Sequence, residues 1–317
     1  MVDSGRLPRY DELPEIPGTG ERHAWEVFGP NDNLGTVNLL TAERVRAAMS
    51  LARAGRVINL NLPLDLPRPA LFPFRPAYIH HRTANRGGGD DYLDSFQMQG
   101  SSQWDGLRHI RFREHGYYQG VQEDALGTDR LGMEHWARHG IFGRAVLIDM
   151  PRYAREGGAY SAVERIAADG PMIERIAARE QVEIREGDIL LLRTGWVTWY
   201  RGLDQAARDA LVGTVTPEGH RCAGVDPSQA TAAWVWNHHL AAIVADNPGL
   251  EALPVENREF QHRRFIAMLG MPLGELWDLD GLADDCAQDG VYEMFLSAAP
   301  LHIPGGVGSP ANAYAIK

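Results

Sequence analysis

Arg144-Ala-Val-Leu-Ile-Asp149 and Asp188-Ile-Leu-Leu-Leu-Arg193 are short apolar runs bounded by charges. Neither alternates polar with apolar residues, so both read as strands buried on both faces. Working outward, Thr41-Ala-Glu-Arg-Val-Arg-Ala-Ala-Met-Ser-Leu-Ala-Arg-Ala-Gly55 reads as a helix. Thr41 is its N-cap, Val45, Ala48, Met49 and Ala52 form its apolar stripe, and Gly55 stops it. Val57-Ile-Asn-Leu-Asn-Leu62 alternates at period two and predicts a half-buried strand. Between the two apolar runs, Ser161-Ala-Val-Glu164 has the pattern of a capping box opening a helix. Asp226-Pro227 predicts another helix running toward His238, and Ala241-Ala-Ile-Val-Ala-Asp246 is strand-like. Further helices are expected over 257–269, closed by Gly270, and over 280–288. Residues 63–76 carry five prolines and read as an extended loop or flap. Strands and helices interleave with no repeat and no linker, which predicts a single α/β domain rich in loops.

Composition narrows the function. The chain has 317 residues, with 31 Lys+Arg against 42 Asp+Glu and a net charge of −11. That acidic balance argues against a nucleic-acid partner, which needs clustered Lys and Arg. The two cysteines, Cys222 and Cys286, exclude a disulfide scaffold and a four-cysteine zinc site. Twelve histidines leave metal chemistry open. The polar, proline-broken start is unlike a signal peptide, and the longest apolar runs are strand-sized. A cytoplasmic protein with no membrane partner is expected.

The richest segment for chemistry is Gln99-Gly-Ser-Ser-Gln103-Trp-Asp105-Gly-Leu-Arg-His109. On a strand, Gln103 and Asp105 share a face about 6.6 Å apart, close enough to hold one ion. Gly100 and Gly106 allow the bends that Gln99 and His109 need to reach the same point. A carboxylate, amide oxygens and an imidazole suit Mn²⁺, Mg²⁺ or a catalytic Zn²⁺ with open positions. The competing account is an ordinary polar turn whose side chains satisfy backbone groups. His262 shares a helical stripe with Phe265, Ile266 and Leu269, so it is expected to be buried. A buried imidazole needs partners, and Glu275 is a candidate partner or ligand. His80-His81 and His238-His239 are adjacent pairs whose side chains diverge, and His135 and His139 lack the glutamate of a zinc-protease helix. Gly305-Gly-Val-Gly308 reads as a turn, and no G-x-S-x-G elbow is present.

These residues resemble the cyclase-like metal-dependent hydrolases, a family that includes kynurenine formamidase and isatin hydrolase and carries H-x-G-T-H-x-D-x-P-x-H. In that frame only Asp105 and His109 match outright; Gln99 and Gln103 occupy the two earlier histidine positions, and Leu107 the proline position. Gly187-Asp-Ile-Leu-Leu-Leu-Arg-Thr-Gly-Trp196 is similar to the family's strand ending in T-G-W. Val146-Leu-Ile-Asp149, the segment from Phe260 to Glu275 and Ser309-Pro-Ala-Asn-Ala-Tyr-Ala-Ile316 follow in the family's order. Trp25-Glu-Val-Phe-Gly-Pro-Asn-Asp-Asn-Leu-Gly-Thr-Val-Asn38 resembles the lead-in of a long-chain branch, similar to trans-dienelactone hydrolase, that uses a Gln-x-Asp motif.

The resemblance implies a swivelling β/β/α fold in a homodimer or higher homo-oligomer. It divides the chain into an irregular extension with the first helix (1–56) and a hydrolase domain (57–317). It implies one divalent ion with Gln99, Gln103 and Asp105 on the metal side. His109 would work on the attacking water, with His262 and Glu275 on the opposite wall. An amide oxygen is a weaker zinc ligand than imidazole, so Mn²⁺ and Zn²⁺ are both open, and His262 or Glu275 can serve as further ligands. The expected reaction is opening of a lactone or cyclic amide in a small ring substrate, with His109 as general base and then acid. Trp104, Trp196 and the 63–76 loop are expected to form an apolar wall, or else the tryptophans pack in the core. Arg108 and Arg111 could offset an anionic substrate, although solvation is the simpler role for both. The rival functions are an arylformamidase acting on an open-chain amide and a metal-free binding protein of the same fold.

Overall fold

The computed structural model describes residues 6–127, 129–155, 160–255 and 260–317. In chain order its strands are β1 (Val57–Asn59), β2 (Ile79–Asn85), β3 (Gly88–Asp94), β4 (Gln103–Asp105), β5 (Ile141–Asp149), β6 (Ala167–Ala168), β7 (Ile189–Arg193), β8 (Gly224–Val225), β9 (Ala242–Ala245), β10 (Leu273–Glu275), β11 (Glu293–Ala298), β12 (Gly308–Pro310) and β13 (Ala313–Ile316). Nine of them build one mixed sheet in the order β1-β13-β11-β5-β7-β9-β10-β4-β12. The two apolar runs become β5 and β7, parallel neighbours with Val146 opposite Leu190, and β9 extends the parallel centre. Ala145–Ile148 and Ile189–Leu192 are fully buried, which is why these strands carry no polar alternation. The helix Gly170–Arg179 packs on β5 and on the helix Gln229–Asn237, while Ala42–Met49 lies along β5 and β11. The fold is therefore α/β with a mixed sheet, as its sequence pattern predicts. β2 and β3 form a separate hairpin whose residues are almost all exposed.

Some boundaries differ from the sequence reading. Ser161–Glu164 is a turn, with the Glu164 amide donating to the Ser161 carbonyl at 3.1 Å. The backbone that follows is taken up by the ladder between β6 and β8, so helix formation waits until Asp169. The Asp169 side chain caps Met172 N at 2.8 Å, and Pro171 fits the first turn, where no amide proton is needed. Ser228, rather than Asp226, caps the helix Gln229–Asn237, and Asp226 in turn accepts from the hydroxyl of Thr231 at 2.7 Å. The helix after Thr41 ends at Met49, before Gly55. β1 stops at Asn59; beyond it the Asn61 side chain, in place of backbone, accepts from Ala313 N at 3.0 Å, and the Leu62 amide turns to the Ser102 hydroxyl at 2.8 Å. Asn257, the expected start of the His262 helix, lies outside the described residues. Its later part is a π-helix, Arg263–Met268, closed at Gly270 with φ +70°. Among the described residues, no helix is long and apolar enough to cross a membrane.

The N-terminal segment is part of the core. Tyr10, Leu13, Val37 and Leu39 are buried in the same cluster as β5, β7 and β9. Thr36 N donates to Gly270 O at 2.9 Å and Thr36 Oγ1 to Ala241 O at 2.7 Å, which ties this segment to the end of the π-helix and the start of β9. Gly35 makes that approach possible. Its φ is +60°, and a Cβ there would fall 1.8 Å from Gly270 O. Gly35→Ala therefore combines left-handed strain with a backbone clash. We expect it to cost about 3 kcal/mol or more and to lower Tm by roughly 4–5 °C or more. A thermal melt within 1–2 °C of wild type, on the order of measurement error, would show that the contact relaxes freely.

Candidate metal centre

The strand register places the first residues of the site. β10 pairs antiparallel with β4, so Glu275 stands opposite Gln103 and Leu273 opposite Asp105. Alternation along β4 puts Gln103 and Asp105 on one face and Trp104 on the other. Gln103 Nε2 donates to Glu275 Oε2 at 2.7 Å. On the far side of β4, Gly308 of β12 lies opposite Asp105. A Cβ at Gly308 would sit 2.8 Å from Gln99 Cδ, so the missing side chain lets Gln99 fold over the strand. The turn at 106–109, closed by His109 N donating to Gly106 O at 2.9 Å, brings His109 back to the same place. Gln99 Nε2 then lies 2.5 Å from Asp105 Oδ1 and 2.7 Å from His109 Nδ1. Asp105 needs a donor there, which orients the amide nitrogen toward both groups. His109 Nδ1 consequently accepts, and the neutral ring carries its proton on Nε2.

His262 arrives from the turn leading into the π-helix. Glu251 Oε1 accepts twice from it, from the backbone N at 2.9 Å and from Nδ1 at 2.8 Å. This fixes the ring with Nε2 facing inward, 2.8 Å from Glu275 Oε1 and 3.6 Å from Asp105 Oδ2. His109 Nε2 faces the same Asp105 oxygen at 3.7 Å. The fold thus brings Gln99, Gln103, Asp105, His109, His262 and Glu275 to one point. Asp105, His109 and His262 each offer an atom within 4.8 Å of the others. Gln99 enters this centre through its amide nitrogen rather than its oxygen.

A cavity of about 120 Å³ opens onto the centre, with His109, Glu251, His262 and Glu275 on its inner wall and Phe72, Arg75 and Phe260 among its other lining residues. Phe72 and Arg75 come from the proline-rich loop. Neither Trp104 nor Trp196 lines the cavity. Trp104 packs edge-on against Trp277 at 4.9 Å, and Trp196 lies in a second core cluster where its Nε1 donates to His220 at 3.1 Å. Arg108 spends its guanidinium on the carbonyls of Leu126, Gly127, Arg130 and Gly305, and Arg111 is exposed. His80 pairs with Asp91 on the exposed hairpin, and His135 bonds to the Asp129 carbonyl. Glu251 and Arg75 were not anticipated from the sequence. A lone acid in Gly249-Leu-Glu-Ala-Leu-Pro254 was a usable signal for the first; nothing periodic marks the second.

The electrostatics fit a divalent cation. Asp105, Glu251 and Glu275 are all buried, and the imidazoles of His109 and His262 face them, with Arg75 further out on the same cavity. Burial works against ionisation of Asp105, but His109, His262 and the Gln99 amide overcome it and hold its pKa below the usual range. Burial and the Asp105 charge raise the Glu275 pKa. For His262 burial opposes the charge, yet Glu251, Asp105 and Glu275 keep its pKa well above the ordinary value. His109 is pushed down, first by burial, and stays neutral. Three buried carboxylates thus gather around two imidazoles, and a buried charge left uncompensated costs several kcal/mol. Asp105 Oδ2 and Gln103 Oε1 are shielded from water and have no hydrogen-bond partner among the described residues. Oxygen lone pairs left unspent beside an imidazole Nε2, with its Nδ1 held by a carboxylate, are the donor set a cation takes.

The fold and this centre define a class: an α/β protein with a buried carboxylate–imidazole cluster suited to a divalent ion. Residues 58–252 match the cyclase family model, described as "Putative cyclase", and the chain belongs to that family. A crystal structure described as a novel cyclase is 34% identical, covering 93% of this chain and 99% of that one with a TM-score of 0.81. Isatin hydrolase A from Labrenzia aggregata, in a structure with benzyl benzoate bound, shares the fold at 17% identity, covering 86% and 97% of the two chains with a TM-score of 0.59. A "predicted metal-dependent hydrolase" from Bacillus stearothermophilus shares it at 15% identity, covering 83% and 98% with a TM-score of 0.51. No curated protein matches the chain.

Glu251 should govern how well the centre binds an ion. Removing the carboxylate that orients a metal-facing histidine typically lowers affinity about 10–100-fold. Calorimetric titration of Glu251→Gln with Mn²⁺ should show a loss of that size, with an unchanged circular dichroism spectrum. Equal affinity in the two proteins would mean that His262 is held without Glu251.

Proposed function

We propose that this protein is a metal-dependent hydrolase that opens a lactone or cyclic amide ring. The observation that carries the reading is Asp105 Oδ2, buried, unpartnered and facing two imidazole Nε2 atoms where the cavity meets the strand. Asp105 and His262 would hold the ion, with Glu275 and the Gln103 oxygen beside them. A bound divalent cation supplies Lewis acidity, polarising the scissile carbonyl and lowering the pKa of water.

The chain's own residues divide the remaining work. Glu275, its pKa raised by burial and by Asp105, takes a proton from water as the oxygen adds to the carbonyl carbon. As the ring C–O or C–N bond breaks, Glu275 returns that proton to the departing atom. His109, with its proton on Nε2, donates a hydrogen bond to the developing oxyanion, the role open to a neutral imidazole. In this reading Glu275 takes the role of base that the sequence suggests for His109, and the Gln99 contact at Nδ1 supports the exchange. Phe72 and Phe260 supply flat apolar surface for a ring.

Chelation should abolish turnover, and Mn²⁺ or Zn²⁺ should restore it. Asp105→Asn keeps the side-chain shape and should lower kcat by at least about 10³-fold while the protein stays folded. An aryl lactone, a cyclic amide and a formanilide assayed in parallel would separate ring opening from open-chain amide hydrolysis. Normal rates in Asp105→Asn, or turnover confined to the formanilide, would overturn the proposal.

A further inference from the structure

Arg75 stands on the proline-rich loop with its guanidinium over the rings of Phe72 and Phe74, 5.1 and 5.4 Å from their centroids. Its Nη1 donates to the Gln99 carbonyl at 2.8 Å, and it forms no ion pair among the described residues. A guanidinium has five N–H donors in a planar fork, so most of its capacity is unspent. Arg75 borders two cavities. One is the inner cavity of about 120 Å³ beside His109 and Glu275; the other, of about 430 Å³, lies further out along the loop toward the hairpin. It is the one Lys or Arg among the described residues that line the inner cavity.

The surroundings make an unpaired cation informative. The chain carries a net charge of −11, and the inner wall of the cavity includes two buried carboxylates with a third behind them. An anionic group that lies beyond reach of an ion in the centre is repelled unless a fixed positive group receives it. A neutral ring needs no such group. Stacking on Phe72 and Phe74 and the bond to Gln99 hold the guanidinium in place in advance, so little is lost on binding.

We propose that Arg75 determines specificity by pairing with a carboxylate on the substrate, so that the protein acts on anionic ring compounds. The reacting carbonyl lies at His109 and Glu275, and the acid group points past Arg75 toward the outer cavity. This rests on the hydrolytic reading of the same cavity, but the test reads binding and not turnover.

Benzoate and its neutral isostere benzamide are titrated calorimetrically into wild type, Arg75→Met and Arg75→Lys, each with and without Mn²⁺. Arg75→Met should weaken benzoate about 10–100-fold and leave benzamide within about 2-fold. Arg75→Lys should fall between, because it keeps the charge and loses the fork. Three results would overturn the proposal: benzoate fails to bind wild type, benzoate binds all three proteins alike, or both probes weaken equally. The second outcome would place benzoate on the ion alone, and the third would make Arg75 a clamp for the loop. If no ring compound is hydrolysed and benzoate still depends on Arg75, the catalytic reading fails and the anion site stands.

Discussion

The antiparallel pairing of β10 with β4 is the constraint on which the site depends. β10 closes the parallel centre of the sheet against β9 and opens the antiparallel edge toward β4 and β12. A slip of one residue would turn Gln103 and Asp105 to the opposite face and bring Trp104 into their place. Several contacts hold the register. Trp277 Nε1 donates to Gln103 O at 3.0 Å, and Leu276 N to Asn247 O at 3.1 Å. Gly274 leaves room between them, since a Cβ there would lie 2.7 Å from Val244 and 2.8 Å from Trp277.

Around that pairing the protein concentrates charge that a stability argument alone would remove. Replacing a buried ionic cluster by apolar side chains is often neutral or stabilising. Here three carboxylates and two imidazoles are instead built in from the strand edge, a loop and a π-helix. Each shifts the others: Asp105 is held ionised by the histidines, and its charge in turn raises Glu275. Groups whose pKa values are pushed apart by their neighbours are the usual means of running acid and base chemistry side by side.

Much of this was legible in residues whose meaning is local. β5, β7 and β9 announce themselves as apolar runs because burial on both faces removes alternation. The shared face of Gln103 and Asp105 follows from the pleat, and the inward face of His262 from its spacing to Phe265, Ile266 and Leu269. The capping pattern at Ser161 misled because a tertiary ladder with β8 claimed the following backbone. Glu251 is eleven residues before His262 and meets it only after the chain has folded back, so its isolation among apolar residues was a signal without an address. Arg75 lies in a stretch with no period at all. The tryptophans looked functional because large rings serve cores and cavities equally well, and only packing assigns them.

The sequence by itself determined the α/β class, the acidic and cysteine-poor character, and the residue types of the centre, because these follow from composition and from periods of two and 3.6. The tertiary structure alone decided how those residues are arranged. It turned the Gln99 nitrogen, not its oxygen, toward Asp105 and so placed the His109 proton on Nε2. It supplied Glu251 to orient His262, and it set Arg75 at the mouth of the cavity. Those choices depend on which atoms come within about 3 Å, and that distance is set by strand register and loop path rather than by any spacing along the chain.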